Sequence, residues 1–256
     1  MPKSCRIVLL LASLAALAVA VAGRAAAEDR VELQSRPGVT VPILFQPAAS
    51  PVASVVLFPG GVGVISVTQG NFLLRVRGEF AAQGISVAVI DAPSDHSDGL
   101  PNDYRASADA AKDLAAVAAF LKSKAPVPVW LVGTSRGSIS AGNGAARLGP
   151  SQVGGVVLTS SVWSRGMERV PLGSIAVPTL IVHNRDDGCR QSPPSGAEPA
   201  LAALTAAPAK NLIFVGGGIA KSNPCGGLSA HGYYGIENQV VPVVIAWIKS
   251  HNRPAR

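Results

Sequence analysis

The chain has 256 residues, of which 48% are hydrophobic and 14% charged, with a net charge of +7. This is enough apolar residue for one well-buried domain and too much for a disordered chain. Basic residues are scattered and aromatics make up only 5%, which argues against a nucleic-acid partner.

At the amino end, Lys3 and Arg6 precede an uninterrupted apolar run from Ile7 to Ala22, followed by small residues that include Ala25 and Ala27. The pattern reads as a secretory signal peptide over 1–27, with an A-x-A cleavage site and a mature chain beginning near Glu28. The run is short for a bilayer span, which needs about 20 apolar residues, so no membrane association is expected after cleavage. An uncleaved anchor is the alternative. Cleavage removes Lys3, Arg6 and Arg24, taking 22 basic residues to 19 against 15 acidic ones, a net of +4. It also removes Cys5 and leaves Cys189 and Cys225, an even number in an oxidising compartment. One disulfide is expected, two separate buried thiols being the alternative. Closing a loop between cysteines 36 positions apart is worth about 4 kcal/mol in chain entropy.

The remainder, 28–256, reads as a single domain. "RVELQSR" and "TVPILFQPA" flank Pro37 and Gly38 and suggest an antiparallel pair at the edge of a mixed sheet. Short β-branched runs follow at 52–58, 85–91, 128–133, 153–161, 178–183 and 211–216. Nearly unbroken apolar runs are what strands covered by helices on both faces require. Helical patterns lie between them at 72–82, 107–124, 136–148, 196–206 and 236–250, and Ser107 with Asp109 behind it makes a helix start. The alternation predicts an α/β fold: a mainly parallel sheet, antiparallel N-terminal strands and helices on both faces. Ser161 to Val177 has room for a loop and a short helix, so no large cap domain is expected and the cleft is open.

The stretch "VWLVGTSRGS" runs into Gly133, Thr134, Ser135, Arg136 and Gly137, a G-x-S-x-G match. In a chain with 27 Gly the pentapeptide alone carries little weight. The strand expected before it and the helix expected after it add that weight. A sharp strand-to-helix turn exposes a serine hydroxyl, flanking glycines relieve its crowding, and the helix N-terminus favours negative charge beside it. A Gly/Ser-rich turn before an ordinary helix is the competing explanation.

With this turn the chain resembles the α/β-hydrolase family, in which the elbow serine is followed in sequence by an acid and then a histidine. The resemblance implies the α/β-hydrolase fold and assigns roles along the chain. "HNRDD" matches the family's H-G-x-x-D pattern and selects Asp187 as the acid, with Asp186 the fallback; a solvated Asp-Gly turn explains the same residues. Of the four histidines, His231 lies in the loop before the last helix, where the family keeps its base. His183 is expected to pack or bond locally, His96 precedes Ser135, and His251 falls in the tail. "VVLFPGGVGV" stands where the family has a glycine-bearing oxyanion loop, with Pro59 in place of a frequent His, and implies the backbone N–H groups of Gly61 and Arg136 as oxyanion donors. A Cys189–Cys225 bridge would staple the acid loop to the histidine loop.

"GGVGV" lacks the Gly-Lys-Ser/Thr of a phosphate cradle, and neither H-E-x-x-H nor C-x-x-C occurs; no cofactor or metal is implied. The expected protein is an exported serine hydrolase, periplasmic or extracellular, acting on a small-molecule carboxylic ester through an acyl-enzyme. Thioesterase, peptidase and acyltransferase activity, or a non-catalytic binding protein of the same fold, stay open, as does the oligomeric state. Arg136 carries a charge where the family commonly has a neutral residue. With Arg185 and Arg190 it suggests an anionic substrate; the alternative is a paired, structural arginine.

Overall fold

A computed structural model describes residues 27–68 and 70–252. The signal peptide expected over 1–27 lies outside the described residues except for Ala27. Strands β1 (Asp29–Arg36) and β2 (Val39–Gln46) form the expected hairpin through Pro37 and Gly38. They are followed by β3 (Ala53–Phe58), α1 (Phe72–Ala82), β4 (Ile85–Ile90), α2 (Asn102–Arg105), α3 (Ala108–Lys124), β5 (Val129–Thr134) and α4 (Gly137–Gln152). The chain continues through β6 (Gly155–Thr159), β7 (Thr179–Asn184), α5 (Ala197–Ala203), β8 (Lys210–Val215) and α6 (Glu237–His251).

All eight strands join one sheet in the order β1-β2-β4-β3-β5-β6-β7-β8. β1 and β2 pair antiparallel, as do β2 and β4, and every later pairing is parallel. The apolar runs owe their continuity to two covered faces. Along β3, Val55 and Leu57 enter the core beneath α1 and α6, with Phe72, Phe80, Val240 and Val244. Val56 and Phe58 point the other way and pack with Leu114 of α3 and Ala145 of α4. β3, β5, β6 and β7 are buried along their whole length, whereas the edge strands β1 and β8 keep partly exposed residues.

Helix ends follow local chemistry. The Ser107 side chain accepts a hydrogen bond from Ala110 N–H and caps α3, and Asn71 caps α1 by accepting from Leu73 N–H. The regular part of α4 stops at the expected place, where Gly149 leaves helical geometry at φ 62°, and Pro150 opens one further turn. The segment after β6 holds only two short 3-10 turns, at Met167–Arg169 and Leu172–Ser174. The one helix without a sequence signal is the single turn α2, in the connection that carries Arg105. Among the described residues no helix is long and apolar enough to cross a membrane.

Candidate active site

The parallel strands all present their carboxyl ends to one edge of the sheet, and the sequence-selected residues meet there. β5 ends at Thr134 and α4 begins at Gly137, leaving two residues to reverse direction. Ser135 absorbs the turn at φ 54°, a left-handed conformation that costs a non-glycine residue of the order of 1–3 kcal/mol. The neighbouring glycines are required by contact. A Cβ on Gly137 would lie 2.0 Å from the carbonyl oxygen of Phe58, and one on Gly133 would lie 2.4 Å from that of Gly137. The half-buried Ser135 lines a cleft of about 240 Å³ together with Gly60, Gly61, Asn71, Gly227 and His231.

Asp187 and His231 come from loops 44 residues apart and form a buried pair, with His231 Nδ1 donating to Asp187 Oδ2 at 2.8 Å. The other carboxylate oxygen accepts from Cys189 N–H at 2.9 Å. Burial pushes the Asp187 carboxyl up, but hydrogen bonds to His183, His231 and the Cys189 N–H outweigh it and hold it below the ordinary aspartate value. Asp186 points elsewhere: its Oδ2 accepts from Gly217 N–H at 2.6 Å. With Nδ1 engaged as donor, the opposite ring nitrogen of His231 is the basic one. This Nε2 is buried and has no hydrogen-bond partner among the described residues. Ser135 and His231 therefore share the cleft without a direct hydrogen bond.

Several further side chains hold this arrangement. His183 Nε2 donates to the carbonyl of Ser192 at 2.9 Å and lies 3.5 Å from Asp187 Oδ2. The latter distance is at the outer limit of a hydrogen bond, so Ser192 is its main partner. Asn184 Nδ2 donates to the carbonyls of Gly217 and Ala230 at 2.9 and 3.0 Å, fixing the residue before His231. Tyr233 donates to the carbonyl of Val182 at 2.7 Å and accepts from Ser160 N–H at 2.8 Å, fixing the residue two beyond it. Arg75 of α1 reaches the carbonyls of Gly227 and Gly232, each at 2.8 Å, and pairs with Glu237 at 2.7 Å. The Cys189–Cys225 disulfide is present, with an S–S length of 2.03 Å, and it bridges the acid loop to the loop preceding His231. Cys225 itself lines the cleft.

On the other side of Ser135, Gly61 adopts φ 62° in the glycine loop after β3. The Arg136 guanidinium does not project as a free cation. Its Nε donates to Asn102 Oδ1 at 2.7 Å, and its two terminal nitrogens donate to the carbonyls of Gly61 and Leu100 at 3.1 and 3.0 Å. All these acceptors are neutral protein groups, so the structural alternative for Arg136 describes its contacts and the anionic-substrate expectation loses its main support. Arg185 lies over the Phe214 ring, with its guanidinium carbon 4.4 Å from the centroid.

No family model matches the chain, and no curated protein matches it. Solved structures do. Dienelactone hydrolase from Anabaena variabilis superposes with a TM-score of 0.65 at 17% identity, over 89% of this chain and 99% of that one. An α/β serine hydrolase without lid from Xanthomonas campestris gives 0.65 at 15% identity, over 90% and 96%. An esterase from Pyrococcus furiosus gives 0.67 at 13% identity, over 89% and 92%. Agreement of this extent at such low identity is agreement of architecture, and the chain has the α/β-hydrolase fold.

Proposed function

We propose that the protein is an exported serine hydrolase of a single domain, 28–256, that cleaves small carboxylic esters through an acyl-enzyme. The observation that carries this reading is the buried Asp187–His231 pair, whose Nε2 has no hydrogen-bond partner among the described residues and whose histidine lines the same cleft as a strained Ser135. In this account His231 Nε2 takes the proton of Ser135 as its oxygen attacks the ester carbonyl. Asp187 keeps the proton on Nδ1, orients the ring and stabilises the imidazolium that forms. The N–H groups of Gly61 and Arg136 receive the oxyanion, each worth about 3–4 kcal/mol to the transition state. His231 then protonates the leaving alcohol, and a water deprotonated by the same nitrogen releases the acid.

The named activities of the neighbours, an esterase and a lidless serine hydrolase among them, support an ester substrate and an open cleft. A cleft of about 240 Å³ is smaller than the range of about 300–1,000 Å³ usual for drug-sized ligands, which favours short acyl groups. Export is supported by the leader-like residues 1–27 and by the disulfide.

The test is p-nitrophenyl ester turnover by the mature protein across acyl lengths, beside Ser135→Ala. The reading expects turnover of short esters that the variant abolishes. Undiminished turnover by folded Ser135→Ala, or none by either protein, removes it.

A further inference from the structure

Two arginines meet at the glycine loop after β3. Arg105, at the end of α2, is only 1% exposed. Its Nε donates to the carbonyl of Leu100 at 3.2 Å, Nη1 to Ser140 Oγ at 3.3 Å and Nη2 to the carbonyl of Gly61 at 3.2 Å. Arg136 donates to two of the same carbonyls, Gly61 at 3.1 Å and Leu100 at 3.0 Å. Both guanidiniums thus converge on the Gly61 oxygen, and Gly63 makes room for that of Arg105: a Cβ there would lie 2.5 Å from Arg105 Nη2. Among the described residues, neither guanidinium has a carboxylate at ion-pair distance.

A charge taken from water beside a second, half-exposed like charge and without a counter-ion is unfavourable, and replacing such groups by apolar ones commonly stabilises a fold. Burial first, and the charge of Arg136 second, push the Arg105 guanidinium down to about 9, which still leaves it protonated at neutral pH. The arrangement makes chemical sense where negative charge develops beside it during turnover, since fixed positive groups in a water-poor site need no reorganisation at that moment.

We propose that Arg105 and Arg136 are positioning residues for the oxyanion site. Both holding the Gly61 carbonyl, they fix the peptide plane that follows Gly61 and so anchor the residue whose N–H, in the plane before it, is the proposed donor. They also place two positive charges on the carbonyl of a residue proposed to donate to the oxyanion. The inference rests on the serine-hydrolase reading and adds that the guanidinium pair acts on the transition state more than on the bound ester.

The test compares wild type, Arg105→Met, Arg105→Lys and Arg136→Met, each checked for folding by circular dichroism. Short-chain p-nitrophenyl esters give kcat and KM, and a boronic acid that forms a tetrahedral anionic adduct with serine gives an inhibition constant. Misplacing an oxyanion donor by about an ångström costs on the order of a hundredfold in rate, and that is the loss in kcat expected for Arg105→Met. KM should move by less than about threefold, boronate affinity should fall in parallel with kcat/KM, and Arg105→Lys should recover part of both. If Arg105→Met does not fold, Arg136→Met carries the same comparison, because it keeps the backbone N–H of residue 136. A folded methionine variant with wild-type kcat, or a loss confined to KM, overturns the inference. Fluorophosphonate labelling of Ser135 in wild type separates the two claims: without it the serine-hydrolase reading fails, and the inference fails with it.

Discussion

The two sides of Ser135 are held by different physics. The acid and histidine loops are tied by a disulfide, by Asn184 and Tyr233 on backbone carbonyls, and by Arg75, which has its own carboxylate partner in Glu237. Among the described residues, the glycine loop has no covalent tie and is gripped by two guanidiniums with no carboxylate partner. Its residues Val62 and Val67 are 41% and 69% exposed. The contrast follows the tasks proposed for the two sides. A base must keep one tautomer and one orientation through many turnovers, which rewards rigid contacts whose charges are paired. A site for transient negative charge gains from fixed positive charge nearby.

The largest expected effect breaks the histidine side at its carboxylate. Asp187→Asn should lower kcat by on the order of 10⁴ by favouring the wrong His231 tautomer. Asp186→Asn, which alters only the contact to Gly217, should leave kcat within about threefold. Steady-state kinetics on one ester decide between the two aspartates, and equal losses would mean that the 2.8 Å pair is not the functional one.

Opening the staple comes next. Replacing Cys189 and Cys225 together by serine should lower unfolding stability by about 2–4 kcal/mol, read from the midpoint of urea denaturation. An unchanged midpoint would show that Asn184, Tyr233 and Arg75 suffice without it.

Acid sharpens the comparison through Asp187. Its carboxyl is held below the reference value of 3.8, so the native state favours the ionised form. The resulting stability is fully present above about pH 4 and is lost as pH falls through the lower native value. Thermal unfolding of wild type and Asp187→Asn should therefore differ most near neutrality and converge below pH 4. A gap that widened in acid would contradict the hydrogen bonding described. The smallest effect belongs to the scaffold of the glycine-loop side: Ser107→Ala uncaps α3 and should cost about 1 kcal/mol of stability, seen in the same melts, with kcat unchanged.

The fold was legible because its cause is local. β3 and β5 are short β-branched runs buried on both faces, and Ser107 sits at a helix start; each writes its pattern within a few residues. The elbow at Ser135 was legible for a similar reason, since a strained turn needs adjacent glycines, whereas Asp187 and His231 were selected by the resemblance to the order of acid and base in the α/β-hydrolase family. Arg105, Arg75 and Asn184 left no such trace, whereas His183 bonds locally, to Ser192, as its place at a strand end suggested. Arg105 meets Gly61 across 44 positions and Arg75 meets Gly232 across 157, and long separations of this kind leave no period in the sequence. Arg105 reads there as one more basic residue in "PNDYRASA", although it is among the most buried side chains. Only the folded sheet edge shows that its charge has been taken out of water.

The central claim is that Asp187 and His231 activate Ser135. Its most direct test is the rate of fluorophosphonate labelling of the mature protein at neutral pH, with the modified residue located by peptide mass spectrometry and the rate compared with that of folded His231→Ala. The account predicts a single adduct on Ser135 that forms several orders of magnitude more slowly in the variant. Labelling at another residue, or at Ser135 with the same rate in both proteins, would contradict it.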